Sequence, residues 1–289
     1  MKILVIGGSG LLGHKLVDFL KKNNIQVYAT YYNNIIEKPN YFNLNITKKN
    51  ECKKLLNKIN PDVIINCSAY TDVDGCEKNK DKALLTNAIS VKNLSEIAKR
   101  INAKFVQIST DYVFDGKKGF YTEIDNTNPI NYYGLTKLKA EQIICEVLDD
   151  FIIARSSVIY GANKNNFALW IINNLKQKKV INIIDDQFIS PTYNFDLCEQ
   201  ILSLISNNQK GIFHTAGGER ISRYYFSIKL AEIFDFNKDN INKILMKNLK
   251  WIANRPMDSS LDISKIKKIK KPYTIYKSLQ LFKKEYRGD

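Results

Sequence analysis

With 289 residues, the chain is long enough for one well-buried α/β core and a smaller appended lobe, but short for two independent domains. Hydrophobic residues make up 44% and charged residues 25%, which sets aside disordered and collagen-like classes. The net charge of +15 comes from lysine and arginine spread along the whole length, with lysine far outnumbering arginine; no nucleic-acid partner is therefore expected, and the charge reads as a field that attracts small anionic ligands.

The N-terminus enters the apolar run Ile3-Leu4-Val5-Ile6 and then meets glycines, unlike a secretory signal. No apolar stretch approaches the ~20 residues needed to span a bilayer, so a cytoplasmic protein without membrane association is expected. Cys52, Cys67, Cys76, Cys145 and Cys198 show none of the short paired spacings of zinc or redox sites and read as small buried hydrophobes. With only His14 and His214 available, no metal site is expected.

In chain order, the first half alternates strands with helices, as in repeated βαβ units. Strands are expected at Lys2–Ile6, Gln26–Thr30, Asp62–Cys67, Lys104–Ser109 and Phe151–Arg155, and helices at Leu11–Lys22, Lys49–Ile59, Lys82–Ile101 and Thr136–Leu148. Near-continuous apolar strands such as Val63-Ile64-Ile65 suit a sheet covered on both faces. Beyond Ser156 the alternation breaks down: helices are expected at Phe167–Gln177, Asp196–Ile205, Ser222–Phe234 and Ile275–Glu285, and short strands at Ile181–Ile184 and Gly211–Thr215. The fold class is therefore α/β, a Rossmann-type doubly wound parallel sheet. Residues 1–156 form the dinucleotide-binding domain, and 157–289 mainly a substrate lobe with some segments returning to the sheet.

The first strand runs into Gly7-Gly8-Ser9-Gly10-Leu11-Leu12-Gly13 and then a helix. In this spacing Gly7 allows the tight turn, Gly10 close approach of backbone to a pyrophosphate, and Gly13 close helix packing, while N–H groups at the helix start hold the phosphates. A carboxylate at the end of the second strand would hold the ribose of NAD. The chain has Thr30-Tyr31-Tyr32-Asn33 there; nothing repels a 2′-phosphate, so NADPH is favoured, with NADH as the alternative.

After the fourth expected strand come Ser109-Thr110-Asp111-Tyr112, and further on Tyr133-Gly134-Leu135-Thr136-Lys137 opens a helix, which places Tyr133 and Lys137 on one face. The arrangement resembles the short-chain dehydrogenase active site. Hydride addition to a ketone creates an alkoxide that needs a proton, and a phenol of pKa near 10 is a reluctant acid-base group at neutral pH. Bringing it to about 7 requires about 4 kcal/mol, and an ammonium ~4 Å away at an effective dielectric of about 20 supplies that order of energy. Thr110 is expected to donate a hydrogen bond to the developing oxyanion.

Ser109-Thr110-Asp111-Tyr112-Val113-Phe114-Asp115-Gly116 and Asn131-Tyr132-Tyr133-Gly134-Leu135-Thr136-Lys137 resemble the dTDP-4-dehydrorhamnose reductase family of extended short-chain dehydrogenases. The resemblance continues in the stretch from Asn66 to Asp74, in Asp186-Gln187-Phe188 with Pro191-Thr192, and in Arg255-Pro256-Met257-Asp258-Ser259. It implies NAD(P)H-dependent reduction of the 4-keto group of a dTDP-linked 6-deoxy-hexose to dTDP-L-rhamnose. By position it makes Thr110, Tyr133 and Lys137 the catalytic trio. It puts Val73, Thr110, Asp111, Tyr112, Val158 and Arg255 on the sugar-nucleotide side, Arg255 toward the diphosphate or the closing lobe. The cofactor is assigned Gly7, Ser9, Gly10, Leu11, Leu12, Gly13, Tyr31, Asn45, Ile46, Ser68, Ala69 and Tyr70, together with Tyr133 and Lys137. A homodimer through Lys82–Ile101 and Thr136–Leu148 is a further implication.

Two departures stand out. Arg155-Ser156-Ser157-Val158 lacks the tryptophan that faces the sugar in the best-known reductases, and Asn45-Ile46 has an asparagine where an acidic residue usually contacts the adenosine. Two rival readings share these motifs: an NAD-recycling epimerase or dehydratase, and a non-catalytic regulatory relative of the same fold.

Overall fold

The computed structural model describes residues 1–288. Its elements are, in order, β1 (Lys2–Ile6), α1 (Leu11–Lys22), β2 (Gln26–Tyr31), β3 (Tyr41–Asn43), α2 (Lys49–Ile59), β4 (Val63–Asn66), α3 (Val73–Lys78), α4 (Lys80–Leu84), α5 (Ser90–Arg100), β5 (Lys104–Thr110), α6 (Tyr132–Val147), β6 (Phe151–Tyr160), α7 (Phe167–Lys176), β7 (Ile181–Ile184), β8 (Phe188–Ile189), β9 (Pro191–Tyr193), α8 (Asn194–Ser206), β10 (Gly211–His214), β11 (Ile221–Ser222), α9 (Arg223–Ile233), β12 (Ile241–Ile244), α10 (Ser264–Lys267) and α11 (Ile275–Arg287).

The main sheet is parallel throughout, in the order β10-β6-β5-β4-β1-β2-β3, with β9 added beside the end of β6. Its strands alternate between two cores. Ile3, Val5, Val63 and Ile65 face one side with Leu16 and Leu20 of α1 and Leu197 and Ile201 of α8. Leu4, Ile6 and Ile64 face the other with Leu56 of α2, Leu94 and Ile97 of α5, and Ala140 and Ile144 of α6. That two-residue period is why the central strands are apolar at every position. A third core, around Tyr160, Ile171, Ile172, Phe226, Leu230 and Phe282, packs α7, α9 and α11 together.

The fold class matches the expectation, and the differences from the sequence reading have local causes. The expected helix Lys82–Ile101 is broken by a π-helical turn at Leu85–Ile89 between α4 and α5, which carries Asn87 in a buried position. The helix expected from Thr136 starts one turn earlier, because Asn131 caps it by accepting from Gly134 N–H at 2.8 Å. The strand expected to stop at Arg155 continues to Tyr160 through a bulge between Ser157 and Ile159. The strands β3, β8, β9, β11 and β12 are two to four residues long and leave no period to read. Cys145 is exposed on the outside of α6, not buried as expected.

Candidate active site

Parallel strands leave their C-terminal ends along one edge, and in a doubly wound sheet that edge carries the ligand crevice. Here it collects the turn after β1, the Ser68-Ala69-Tyr70 segment after β4, Thr110 at the end of β5 and the bulge of β6.

The turn after β1 fits a dinucleotide pyrophosphate. Gly7 has φ +81°, and a Cβ on it would come within 3.0 Å of the Ser68 nitrogen. A Cβ on Gly13 would meet the Gly7 carbonyl at 2.2 Å, so α1 can approach the turn only with glycine there. Gly10 caps α1 without a side chain, and the first turn holds no acidic residue, which leaves the N–H groups of that turn for an anion. Thr30 holds the turn from behind, its Oγ1 accepting from Gly7 N–H at 3.1 Å and its carbonyl from Gly8 N–H at 2.7 Å.

Of the residues assigned to the cofactor, Ser9 lies on the turn, Leu11 opens α1, and Tyr31 closes β2. Leu12 and Ile46 turn their side chains into the core, so only their backbone faces outward chemistry. Asn45 is occupied locally: its Oδ1 accepts from Thr47 N–H at 3.0 Å, and its amide donates to the Tyr32 hydroxyl at 3.3 Å. Ser68 donates to Asn66 at 2.7 Å. Tyr70 exchanges backbone bonds with Asn87 at 2.7 and 3.0 Å, and Asn87 also donates to Thr136 on α6 at 3.1 Å. Asn87 thus ties the loop after β4 to the helix of Tyr133; its only trace in the sequence is an unremarked asparagine inside an expected helix.

Thr110 and Tyr133 lie close enough for the threonine hydroxyl to lower the phenol's pKa, and the Tyr112 and Tyr133 rings meet edge to face with centroids 6.1 Å apart. Gly134 makes the approach possible, since a Cβ there would lie 2.1 Å from the Tyr112 carbonyl. One turn on, Lys137 is buried and donates from Nζ to the Ile108 carbonyl at 2.6 Å. The expected acidification of the phenol is not found. Burial raises the Tyr133 pKa, against the lowering by the Thr110 hydroxyl, and Asp111 adds to the rise. Lys137 spends its proton on Ile108, and burial lowers its own pKa to about 8 despite Glu141. Dehydration of both groups outweighs their attraction.

Asp111, expected on the sugar side, is held from within the protein. It is 2% exposed, and its carboxylate accepts from Thr110 at 3.1 Å, Ser157 at 2.8 Å and Ser259 at 2.5 Å. Burial still raises its pKa over those three hydroxyls. The Thr110 hydroxyl, expected to point at an oxyanion, donates to Asp111 here. Val158 sits on the bulge with φ +39°, a strained backbone for a β-branched residue. Val73 begins α3 next to Asp74, whose carboxylate pairs with Arg255 at 3.0 Å; Arg255 also donates to the Ala253 carbonyl at 2.8 Å.

Beneath the pair on α6 lies a buried network absent from the sequence reading. Glu141, on the face of Tyr133 and Lys137, accepts from Ser109 at 2.5 Å and from Arg155 at 2.7 Å. Arg223 at the start of α9, also missed, lies near Tyr112, and its charge works against the rise that burial gives the Tyr112 pKa. Helical spacing could have found Glu141; nothing local marks Arg223.

The chain matches the family described as "RmlD substrate binding domain" over residues 1–287. It is 32% identical over 276 residues to a probable low-salt glycan biosynthesis reductase, Agl14, of Haloferax volcanii, covering 92% of this chain and 91% of that protein. It is 30% identical to methionine adenosyltransferase 2 subunit beta of Xenopus tropicalis, over 93% of this chain and 82% of that one. The crystal structure of dTDP-4-dehydrorhamnose reductase from Bacillus anthracis in complex with NADP superposes with a TM-score of 0.91 at 30% identity, covering 98% of this chain and 99% of that one. The glycine turn, the neighbouring Thr110 and Tyr133 and these matches along the whole length agree: the chain belongs to the RmlD substrate binding domain family, that of the dTDP-4-dehydrorhamnose reductases.

Proposed function

We propose that the protein uses NADPH to reduce the 4-keto group of a nucleotide-linked 6-deoxy sugar, dTDP-4-dehydro-L-rhamnose to dTDP-L-rhamnose, as a step in glycan precursor synthesis. The observation that carries this reading is that Tyr133, against Tyr112 and one turn before the buried Lys137, stands beside Thr110 at the same sheet edge as the glycine turn. NADPH, when bound, supplies the hydride. The chain supplies the proton: Tyr133, kept protonated at neutral pH by its burial, donates it to the former carbonyl oxygen. Thr110 orients that phenol, and the Lys137 ammonium one turn away favours negative charge in the same place. The absence of a carboxylate after β2 supports NADPH over NADH.

Segments around Val73, Tyr112, Val158 and Arg255 form the sugar side in this reading, and the C-terminal half supplies most of the lobe that covers it. Among the described residues no helix is long and apolar enough to cross a membrane, in keeping with a cytoplasmic enzyme. The exposed Leu85 and Ile89 on the π-helical turn fit a homodimer through the α4–α5 segment and α6.

A panel of nucleotide-linked 4-keto sugars assayed with NADPH and with NADH tests the reading. Tyr133→Phe should lower kcat by about 10²–10⁴-fold while NADPH affinity stays within a few-fold; an unchanged rate would remove the catalytic assignment. The likeness to a protein named as a subunit of methionine adenosyltransferase favours a second reading, a non-catalytic partner subunit. NADPH binding with no turnover of any sugar in the panel would favour it.

A further inference from the structure

Three arginines of the C-terminal half belong to segments that close on Tyr112 and Asp111, and they differ in what neutralises them. Arg220 pairs with Asp258 at 2.6 Å and Arg255 with Asp74 at 3.0 Å. Arg223 has no carboxylate within salt-bridge distance among the described residues. It is nevertheless held firmly. Its Nε donates to Gln187 Oε1 at 2.5 Å, and Gln187, itself 1% exposed, is fixed by donating to the Pro256 carbonyl at 3.0 Å. The guanidinium lies over the Phe167 ring, 4.8 Å from its centroid, and near Tyr112, whose ring stands against Tyr133. Its remaining N–H groups have no protein acceptor among the described residues and are not sealed from solvent.

A cation half removed from water, fixed by Gln187 and Phe167, with no carboxylate at salt-bridge distance and only the buried, hydroxyl-bound Asp111 as a nearby negative charge, is prepared for an anion. We propose that Arg223 is the anion-receiving residue of the sugar-nucleotide site, its guanidinium binding an oxygen of the diphosphate that joins sugar to nucleoside. This rests on the reading of the substrate as a sugar nucleotide. A neutral deoxysugar carries no charge of its own, so the diphosphate is the part of such a substrate that an unpaired guanidinium can recognise, and two parallel N–H donors suit its oxygens. Arg255, which the sequence suggested for that contact, has its charge committed to Asp74.

The test is calorimetric binding of dTDP, UDP and GDP, with thymidine as the uncharged control, to NADPH-saturated wild type, Arg223→Gln and Arg223→Lys. Loss of a hydrogen bond to a charged group should weaken the preferred nucleoside diphosphate about 10-fold or more in Arg223→Gln. Arg223→Lys should fall between, since it keeps the charge without the fork. Thymidine should bind all three proteins equally weakly, and NADPH affinity, measured separately, should be unchanged. The proposal is overturned if Arg223→Gln, with NADPH affinity intact, binds the diphosphate within two-fold of wild type, if thymidine binding falls by the same factor, or if wild type binds NADPH but no nucleoside diphosphate. Failure to oxidise NADPH with keto sugars while dTDP binding depends on Arg223 would remove only the reductase reading.

Discussion

Lys137 carries a cost that its neighbours do not offset. Burial lowers its pKa from 10.5 to about 8. Below pH 8 both folded and unfolded chains hold the proton, and the folded state bears the full penalty. Between about 8 and 10.5 the unfolded chain binds more protons, so this group makes stability rise with pH there. Lys137→Met should therefore be more stable than wild type at pH 7, by up to a few kcal/mol, with the gap closing toward pH 10; urea denaturation at several pH values measures it. The same ammonium should give keto reduction a fall in kcat/KM as pH rises through about 8, absent from the residual activity of Lys137→Met. A profile flat to pH 10 in wild type would count against a role for the charged lysine. Tyr133 and Lys137 are legible in the sequence because one helical turn relates them, whatever the rest of the chain does. Arg223 is not legible: its importance comes from Gln187 and Tyr112, one 36 residues away in sequence and the other farther still.

At the scale of elements, α6 organises the site. Its first turn presses on the turn that follows β5, and Gly134→Ala would place a methyl 2.1 Å from the Tyr112 carbonyl. Because backbone cannot swing aside like a flexible side chain, the variant should lose about 1–3 kcal/mol, read as a lower thermal midpoint. Its residual activity should fall more than its NADPH affinity, since the displaced residue is Tyr133. Further along, Glu141 and Arg155 are each 3% exposed as side chains, and Glu141→Ala would strand a buried guanidinium. A loss of about 3–5 kcal/mol is expected in denaturant unfolding, against much less if the pair is only a surface contact. The helix itself is readable from its run of helix-forming residues. Its start was missed because the Asn131 cap lies before any apolar repeat, and the π-helical turn was missed because period alone does not show where a helix admits an extra residue.

For the whole molecule, alternating strands and helices in the first half state the doubly wound sheet plainly, since each strand is covered on both faces. The second half is harder to read, because its short strands are defined by partners far away: β10 returns to pair with β6, and β12 pairs with β7. Asp111 joins the two halves, accepting from Ser157 in β6 and Ser259 near the C-terminus. Ser259→Ala should cost about 1–3 kcal/mol by leaving a buried carboxylate short of a donor, and the loss should shrink in a background of Asp111→Asn. The Ser259 bond bridges 148 positions of sequence. A nascent chain halted before that serine would already contain Thr110, Tyr133 and Lys137, yet the carboxylate beside them would lack its last donor. Catalytic competence should then arrive as a single late event in synthesis, with a refolding rate set by closure of that long loop.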